Sequence, residues 1–153
     1  MKKISHIGSL LKKIYRFYAA ELLDSLQKRG FTDLRPSFLE VLLYVCEYEG
    51  PTIKQIGMGL DLKKQTMTSH LNELEKRGYI KRKVNSTDKR EQNIFLTEYG
   101  EKFKLTLFEC TDELEKNYSL IVGEVELDRV ELLLRNLHSK LTHKPEAQGS
   151  LPL

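Results

Sequence analysis

Apolar residues along the chain recur at helical spacing, then briefly at strand spacing, then at helical spacing again. Ile4, Ile7, Leu11, Ile14 and Tyr18 fall three or four residues apart, which predicts a long amphipathic helix. Lys28-Arg29 followed by Gly30 is its stop signal. Pro36, suited to a first helical turn, opens a second helix with Phe38, Leu39, Leu42, Leu43 and Cys46 as its expected inner side, ending at Gly50-Pro51. A short helix from Ile53 to about Leu60 and another over 64–77 follow, split by a turn at Asp61-Leu62, and Gly78 ends the second. Over 79–84 the period drops to two: Tyr79, Lys81 and Lys83 alternate with Ile80, Arg82 and Val84. Asn85-Ser86-Thr87-Asp88 is turn composition, and 93–96 reads as the returning strand of a hairpin with a charged tip. Thr97 is a good N-cap for the next helix, with Glu98 and Glu101 favoured at the positive end of its dipole. Phe103, Leu107, Cys110, Leu114 and Ile121 form one further stripe, and Leu127, Val130, Leu134, Leu137 and Leu141 another, with Gly123 between them. From Thr142 onward periodicity ends and a loose tail is expected.

Composition narrows the class. With 153 residues, 40% hydrophobic and 31% charged, the chain is long enough for a core without disulfides and too apolar for wholesale disorder. Its longest unbroken apolar run, 41–46, is far short of a membrane span, so no membrane partner is expected. Met1-Lys2-Lys3 begins like a secretory signal, but Lys12 and Lys13 interrupt the apolar stretch, and a cytoplasmic protein is expected. Two cysteines cannot make a disulfide framework, and four scattered histidines show no metal pattern; neither cofactor nor metal is expected. The net charge of +3 is unevenly spread. Residues 61–93 hold nine bases and five acids, so the remaining 120 residues sum to −1. A second basic cluster, Lys2, Lys3, Lys12, Lys13 and Arg16, precedes the first acid at Glu21. Such localisation is the footprint expected for a polyanion partner, although solvated lysines explain charge alone equally well.

The motif decides between them. A short helix, a tight turn, a second helix and a basic hairpin make a winged helix-turn-helix. Ile56, Leu60, Leu62, Met67, Leu71 and Leu74 supply the apolar seam that fixes the crossing of the two helices. The other side of the second helix carries Lys64, Gln65, Thr68, Ser69 and Asn72, polar groups that a major groove accepts. Lys89 and Arg90 at the hairpin tip can reach phosphates or a narrow minor groove, with Asp88 expected to orient the arginine.

These residues resemble the MarR-type transcriptional regulators. Thr66-Met67-Thr68-Ser69-His70-Leu71-Asn72-Glu73-Leu74-Glu75-Lys76-Arg77-Gly78-Tyr79-Ile80 is similar to that family's recognition helix running into its first wing strand. Asp88-Lys89-Arg90 and then Leu96-Thr97-Glu98-Tyr99-Gly100 are similar to its D-x-R…L-T-x-x-G signature. The match covers about 52–103. Three positions depart from the pattern. Asp61 stands in the turn where Gly is usual, and tolerates a left-handed conformation. Lys63 replaces a small polar cap, so capping is expected to be weak or moved to Asp61, and Gly57 stands where Ala is usual, for close helix approach.

The resemblance implies a fold that is mainly α with a small β-hairpin wing: a winged helix-turn-helix domain flanked by dimerisation helices. On this reading 1–34 is an N-terminal dimerisation helix, 35–97 the DNA-binding domain, 98–141 the C-terminal dimerisation helices and 142–153 the tail. It implies a homodimer on palindromic double-stranded DNA, acting as a ligand-responsive repressor. Lys63, Lys64, Gln65, Thr66, Thr68, Ser69, Asn72, Lys89 and Arg90 are the expected DNA-binding residues. An effector crevice for a small aromatic or anionic molecule is implied as well, with Tyr15, Tyr18, Phe38 and Tyr44 as wall residues. Three amphipathic stripes around a small reading unit support dimerisation independently, since exposed stripes of that size are a liability in a monomer.

Rival readings have less behind them. No phosphate loop, nucleophile elbow or metal-ligand spacing points to an enzyme. A winged-helix protein–protein module without DNA binding is the alternative, against which Lys81, Arg82, Lys83, Lys89 and Arg90 argue. Cys46 and Cys110 are read as small packed hydrophobes without a basic activator, not as redox sensors. His70 is expected to face the seam.

Overall fold

The computed structural model describes residues 1–143, so the expectation of a loose tail falls, from 144 on, outside the described residues. The element order is α1 (Lys3–Lys28), α2 (Pro36–Glu47), α3 (Ile53–Leu60), α4 (Lys64–Lys76), β1 (Ile80–Val84), β2 (Gln92–Leu96), α5 (Glu98–Val122) and α6 (Glu124–Thr142). Every predicted element is present, with ends within about two residues of the sequence signals that predicted them. The chain divides into two compact units, Met1–Thr111 and the segment from Asp112 onward.

In the first unit the core gathers Leu22 and Leu26 of α1, Phe38, Leu39, Val41, Leu42 and Val45 of α2, and Ile56, Met67, Leu71 and Leu74 of the helix pair. Tyr79, Ile80, Ile94, Phe103 and Leu107 complete it. Full burial of such a side chain stabilises by about 1.5–3 kcal/mol, so Met67, Leu71 and Leu74 are the main apolar anchors of α4 against its neighbours. The buried side of α2 differs from the one predicted. Val41 and Val45 are inside, while Leu43 and Cys46 are only half-buried. Leu60 and Leu62 also sit at the edge of the α3–α4 seam, not within it.

The ends of α3 follow from local chemistry. Thr52 Oγ1 accepts from the Gln55 N–H at 3.1 Å, and Gln55 Oε1 accepts from the Thr52 N–H at 2.9 Å. This reciprocal capping box contributes about 1 kcal/mol. Asp61 ends the helix with φ 53° and ψ 44°, the left-handed conformation its turn requires. Lys63 is the N-cap of α4 and makes no side-chain cap hydrogen bond, so this helix start is indeed weakly capped. The close approach expected at Gly57 lies two residues further on. A Cβ on Gly57 would meet the Leu62 carbonyl at an ordinary 3.6 Å, whereas one on Gly59 would lie 2.3 Å from the Tyr44 ring.

β1 and β2 pair antiparallel, from Ile80 opposite Leu96 to Val84 opposite Gln92. The sequence did not signal a third member. Pro51 accepts from the Ile94 N–H at 2.8 Å, Thr52 bridges to Asn93, and Asn93 Nδ2 donates to the Gly50 carbonyl at 2.7 Å. The Gly50-Pro51-Thr52 connection thereby fastens the wing to the entry of α3.

The second unit comprises the end of α5 and α6. No residue of α6 is buried, and Leu120, Ile121, Val125, Leu132, Leu133 and Leu141 are exposed. In the first unit α1 likewise leaves Ile4, Leu10, Leu11, Ile14 and Phe17 exposed. Among the described residues no helix is long and apolar enough to cross a membrane.

Candidate nucleic-acid interface

Burial of Met67, Leu71 and Leu74 fixes which side of α4 faces outward. At 100° per residue the far side is a ridge of Gln65, Ser69, Asn72 and Lys76, and Gln65, Ser69 and Asn72 are all exposed. Thr66 is exposed on one flank of this ridge. Thr68 is half-buried on the other, turned toward the wing. His70 is half-buried and meets the Phe38 ring edge-on at 5.4 Å, as a packed residue should.

Beside α4 lies a cleft of about 690 Å³ between α3, the start of α4 and the wing. It brings together Lys64 and Thr68 with Lys89 and Arg90, residues more than twenty positions apart in sequence. Lys54 of α3 joins the same rim and was missed by sequence reading, because nothing in its local pattern sets it apart from any solvated lysine. Lys63 is exposed at the N-cap of α4 and is absent from the lining of this cleft.

The wing tip is ordered by its own side chains. Asn85 Oδ1 accepts from the Thr87 N–H at 2.9 Å and from the Asp88 N–H at 3.0 Å, closing the turn. Asp88 Oδ1 accepts from the Arg90 N–H at 3.0 Å and lies 3.3 Å from Arg90 Nε. Asp88 thus pairs with Arg90, whose side chain remains 91% exposed. A solvated pair of this kind adds little stability.

Arg82 overturns part of the charge reading. It was counted among the cations the wing offers outward, yet its side chain is only 17% exposed. It shares the inner face of β1 with Ile80 and reaches α4, pairing with Glu75 at 3.2 Å and donating to Asn72 Oδ1. Lys83 lies over the Phe95 ring at 5.1 Å, so it too is partly engaged.

Of the four residues expected at an effector wall, one is placed in the core. Phe38 is 1% exposed and is corrected to a core residue, beneath the guanidinium groups of Arg35 at 4.5 Å and Arg77 at 5.1 Å. Tyr44 packs on Tyr48 at 4.6 Å and abuts Gly59. Tyr15 and Tyr18 are neighbours on α1 at 6.4 Å, and the Tyr15 hydroxyl donates to Glu40 Oε1 at 3.0 Å. Partial burial and that carboxylate push the Tyr15 hydroxyl up to about 12, so it stays protonated at neutral pH.

The cysteines also part company with expectation. Cys110 is buried, but it has the basic neighbour the sequence did not reveal: Arg29 Nη1 at 2.7 Å, with the Ser25 hydroxyl at 3.2 Å. Cys46 is half-buried, and burial pushes its thiol up to about 11. Only about one part in a thousand of it is thiolate at pH 8, so its alkylation should be slow there and rise about tenfold per pH unit to pH 11. Mass-spectrometric readout of iodoacetamide labelling against pH tests this; rapid labelling of Cys46 at pH 7 would contradict it.

The likeness to known proteins includes this segment. A MarR family model matches residues 32–91, which contain the helix pair and the wing tip. Through this region the chain is similar to the MarR family. The HTH-type transcriptional regulator TtmR of Methylorubrum extorquens (strain PA1) is 35% identical over 118 residues, 77% of this chain and 57% of that protein. The chain thus spans somewhat over half the length of that relative. A MarR transcriptional regulator from Methanosarcina mazei Go1 has the same fold, with a TM-score of 0.75 at 19% identity over 90% of this chain and 98% of its own. The structure of reduced AbfR bound to DNA matches with a TM-score of 0.68 at 27% identity, covering 92% of this chain and 93% of that one.

Proposed function

We propose that the protein is a sequence-specific transcriptional regulator that binds double-stranded DNA as a homodimer. The observation that carries this reading is the pairing of an exposed polar ridge on α4, Gln65, Ser69 and Asn72, with an oriented Arg90 on the adjacent wing. A ridge of short hydrogen-bonding groups suits base edges, and a solvated guanidinium beside it suits phosphate or the minor groove. Lys54, Lys64 and Lys89 around the intervening cleft add positive charge where the backbone would pass. The likeness to a DNA-bound structure at 27% identity supports the same use of the fold.

Dimerisation through 1–34 and 98–141, with 35–97 as the reading domain, belongs to this proposal. Its support is the apolar side chains that α1 and α6 leave exposed in a single chain. A two-fold pair of reading domains fits a palindromic operator, and repression relieved by a small aromatic or anionic effector completes the proposal.

Selection of bound duplexes from a random pool tests it, with a palindromic consensus expected. Gln65→Ala or Ser69→Ala should then cost about 1–3 kcal/mol on the preferred sequence and relax preference at one position. Arg90→Ala should weaken all sequences alike and reduce the salt slope by about one. An unchanged affinity and salt slope in Arg90→Ala would remove the wing from the interface.

A further inference from the structure

Arg82 and Asn72 carry an inference about which base α4 reads, and it rests on the DNA-binding proposal above. Asn72 lies on the outward ridge of α4, one turn before Glu75. The Arg82 guanidinium reaches both: its Nε lies 3.2 Å from Glu75 Oε2, an ion pair without hydrogen-bond geometry, and its Nη2 donates to Asn72 Oδ1. A guanidinium has five donors and no acceptor, so it can hold only the carbonyl end of an asparagine amide. The opposite orientation would set donor against donor. Glu75 in turn restrains the guanidinium, and Ile80 on the same strand face is buried, so the arginine is supported from below. The Asn72 carbonyl is thereby turned toward the wing and its NH2 group is the end left for the groove.

An unconstrained asparagine reads adenine with both ends, accepting from N6–H and donating to N7. We propose that Arg82 is a positioning residue that makes Asn72 a donor-only reader, selecting an acceptor edge: guanine O6 and N7, or thymine O4. Adenine is disfavoured at that position: its N6–H calls for a carbonyl that is turned toward the wing and already shared with Arg82, and its N7 alone offers one acceptor where guanine offers two. Wing and recognition helix are thus coupled in specificity as well as in packing.

The test uses the full-length protein and duplexes varied at each position of the selected site. Asn72→Ala identifies the position Asn72 reads, as the one whose preference it flattens. Guanine or thymine preferred there by about tenfold in the wild type supports the proposal; adenine preferred there, or no position flattened, overturns it. Arg82→Met keeps the aliphatic stem, frees the amide and should shift that one position toward adenine. In the Asn72→Ala background the same substitution should leave the position unchanged, which a purely structural role for Arg82 would not predict. If Arg82→Met folds, as judged by its thermal melt, and retains the wild-type preference, the proposal fails; if it does not fold, the wild-type and Asn72→Ala results still decide. A wild type that selects no duplex at all would overturn the DNA-binding proposal and this inference together, whereas a selected site with adenine under Asn72 overturns this inference alone.

Discussion

Leu134→Glu and Leu137→Glu are each expected to turn the proposed dimer into a folded monomer at micromolar concentration and to abolish tight operator binding. In the single chain these leucines are 40% and 36% exposed, so a carboxylate at either place can keep its water and the protomer should still fold. In a two-fold interface the same carboxylate would be buried twice. At about 3 kcal/mol or more for each unpaired charge, the dimer dissociation constant should rise by roughly four orders of magnitude. Loss of the dimer uncouples the two reading domains, and with them the gain from binding two half-sites at once. Sedimentation equilibrium with far-UV circular dichroism separates this from unfolding. A wild type that sediments as a monomer, or a Leu134→Glu variant that stays dimeric, would refute the assignment of α6 to the interface.

Gly100→Ala should be the most destabilising conservative change in the wing region. A Cβ there would sit 2.1 Å from the Tyr79 carbonyl oxygen and 3.1 Å from the Leu96 Cβ. Neither atom can swing aside, because the Tyr79 carbonyl, just before β1, accepts from the Thr97 N–H at 3.1 Å and Leu96 ends β2. Thr97 reinforces the junction: its Oγ1 accepts from the Gly100 N–H at 3.0 Å and donates to the Gly78 carbonyl. The first turn of α5 therefore presses directly on the corner where α4 passes into β1. Overpacking of this kind costs about 3 kcal/mol, or roughly 6–12 °C in melting temperature for a chain of this length. A shift below about 2 °C would mean that the corner yields, and that the glycine of the L-T-x-x-G signature has another reason.

Elements whose signals are local were read from the sequence with little loss. Hydrophobic spacing, Pro36, Gly78 and Gly123 placed every helix, because a helix is specified by neighbours three and four residues apart and by its own ends. The turn composition at 85–88 and the alternation before it located the wing for the same reason. The exposed ridge of α4 was legible too, since burying Met67, Leu71 and Leu74 leaves Gln65, Ser69 and Asn72 outside by geometry alone. What depended on packing between distant segments was not legible. Alternation put Arg82 on a wing face but could not say that this face lies against α4, where a guanidinium finds Glu75 and Asn72 instead of solvent. Phe38 read both as an inner residue of α2 and as an aromatic wall for a ligand, and only Arg35, Arg77 and His70 around its ring decide for the core. Cys110 read as an inert hydrophobe because Arg29, 81 residues away, leaves no trace in its local pattern. Periodicity determines which side of an element is inward; only the tertiary structure decides which side chain of another element it meets there, and that meeting sets whether a charge is spent on DNA or on the protein itself.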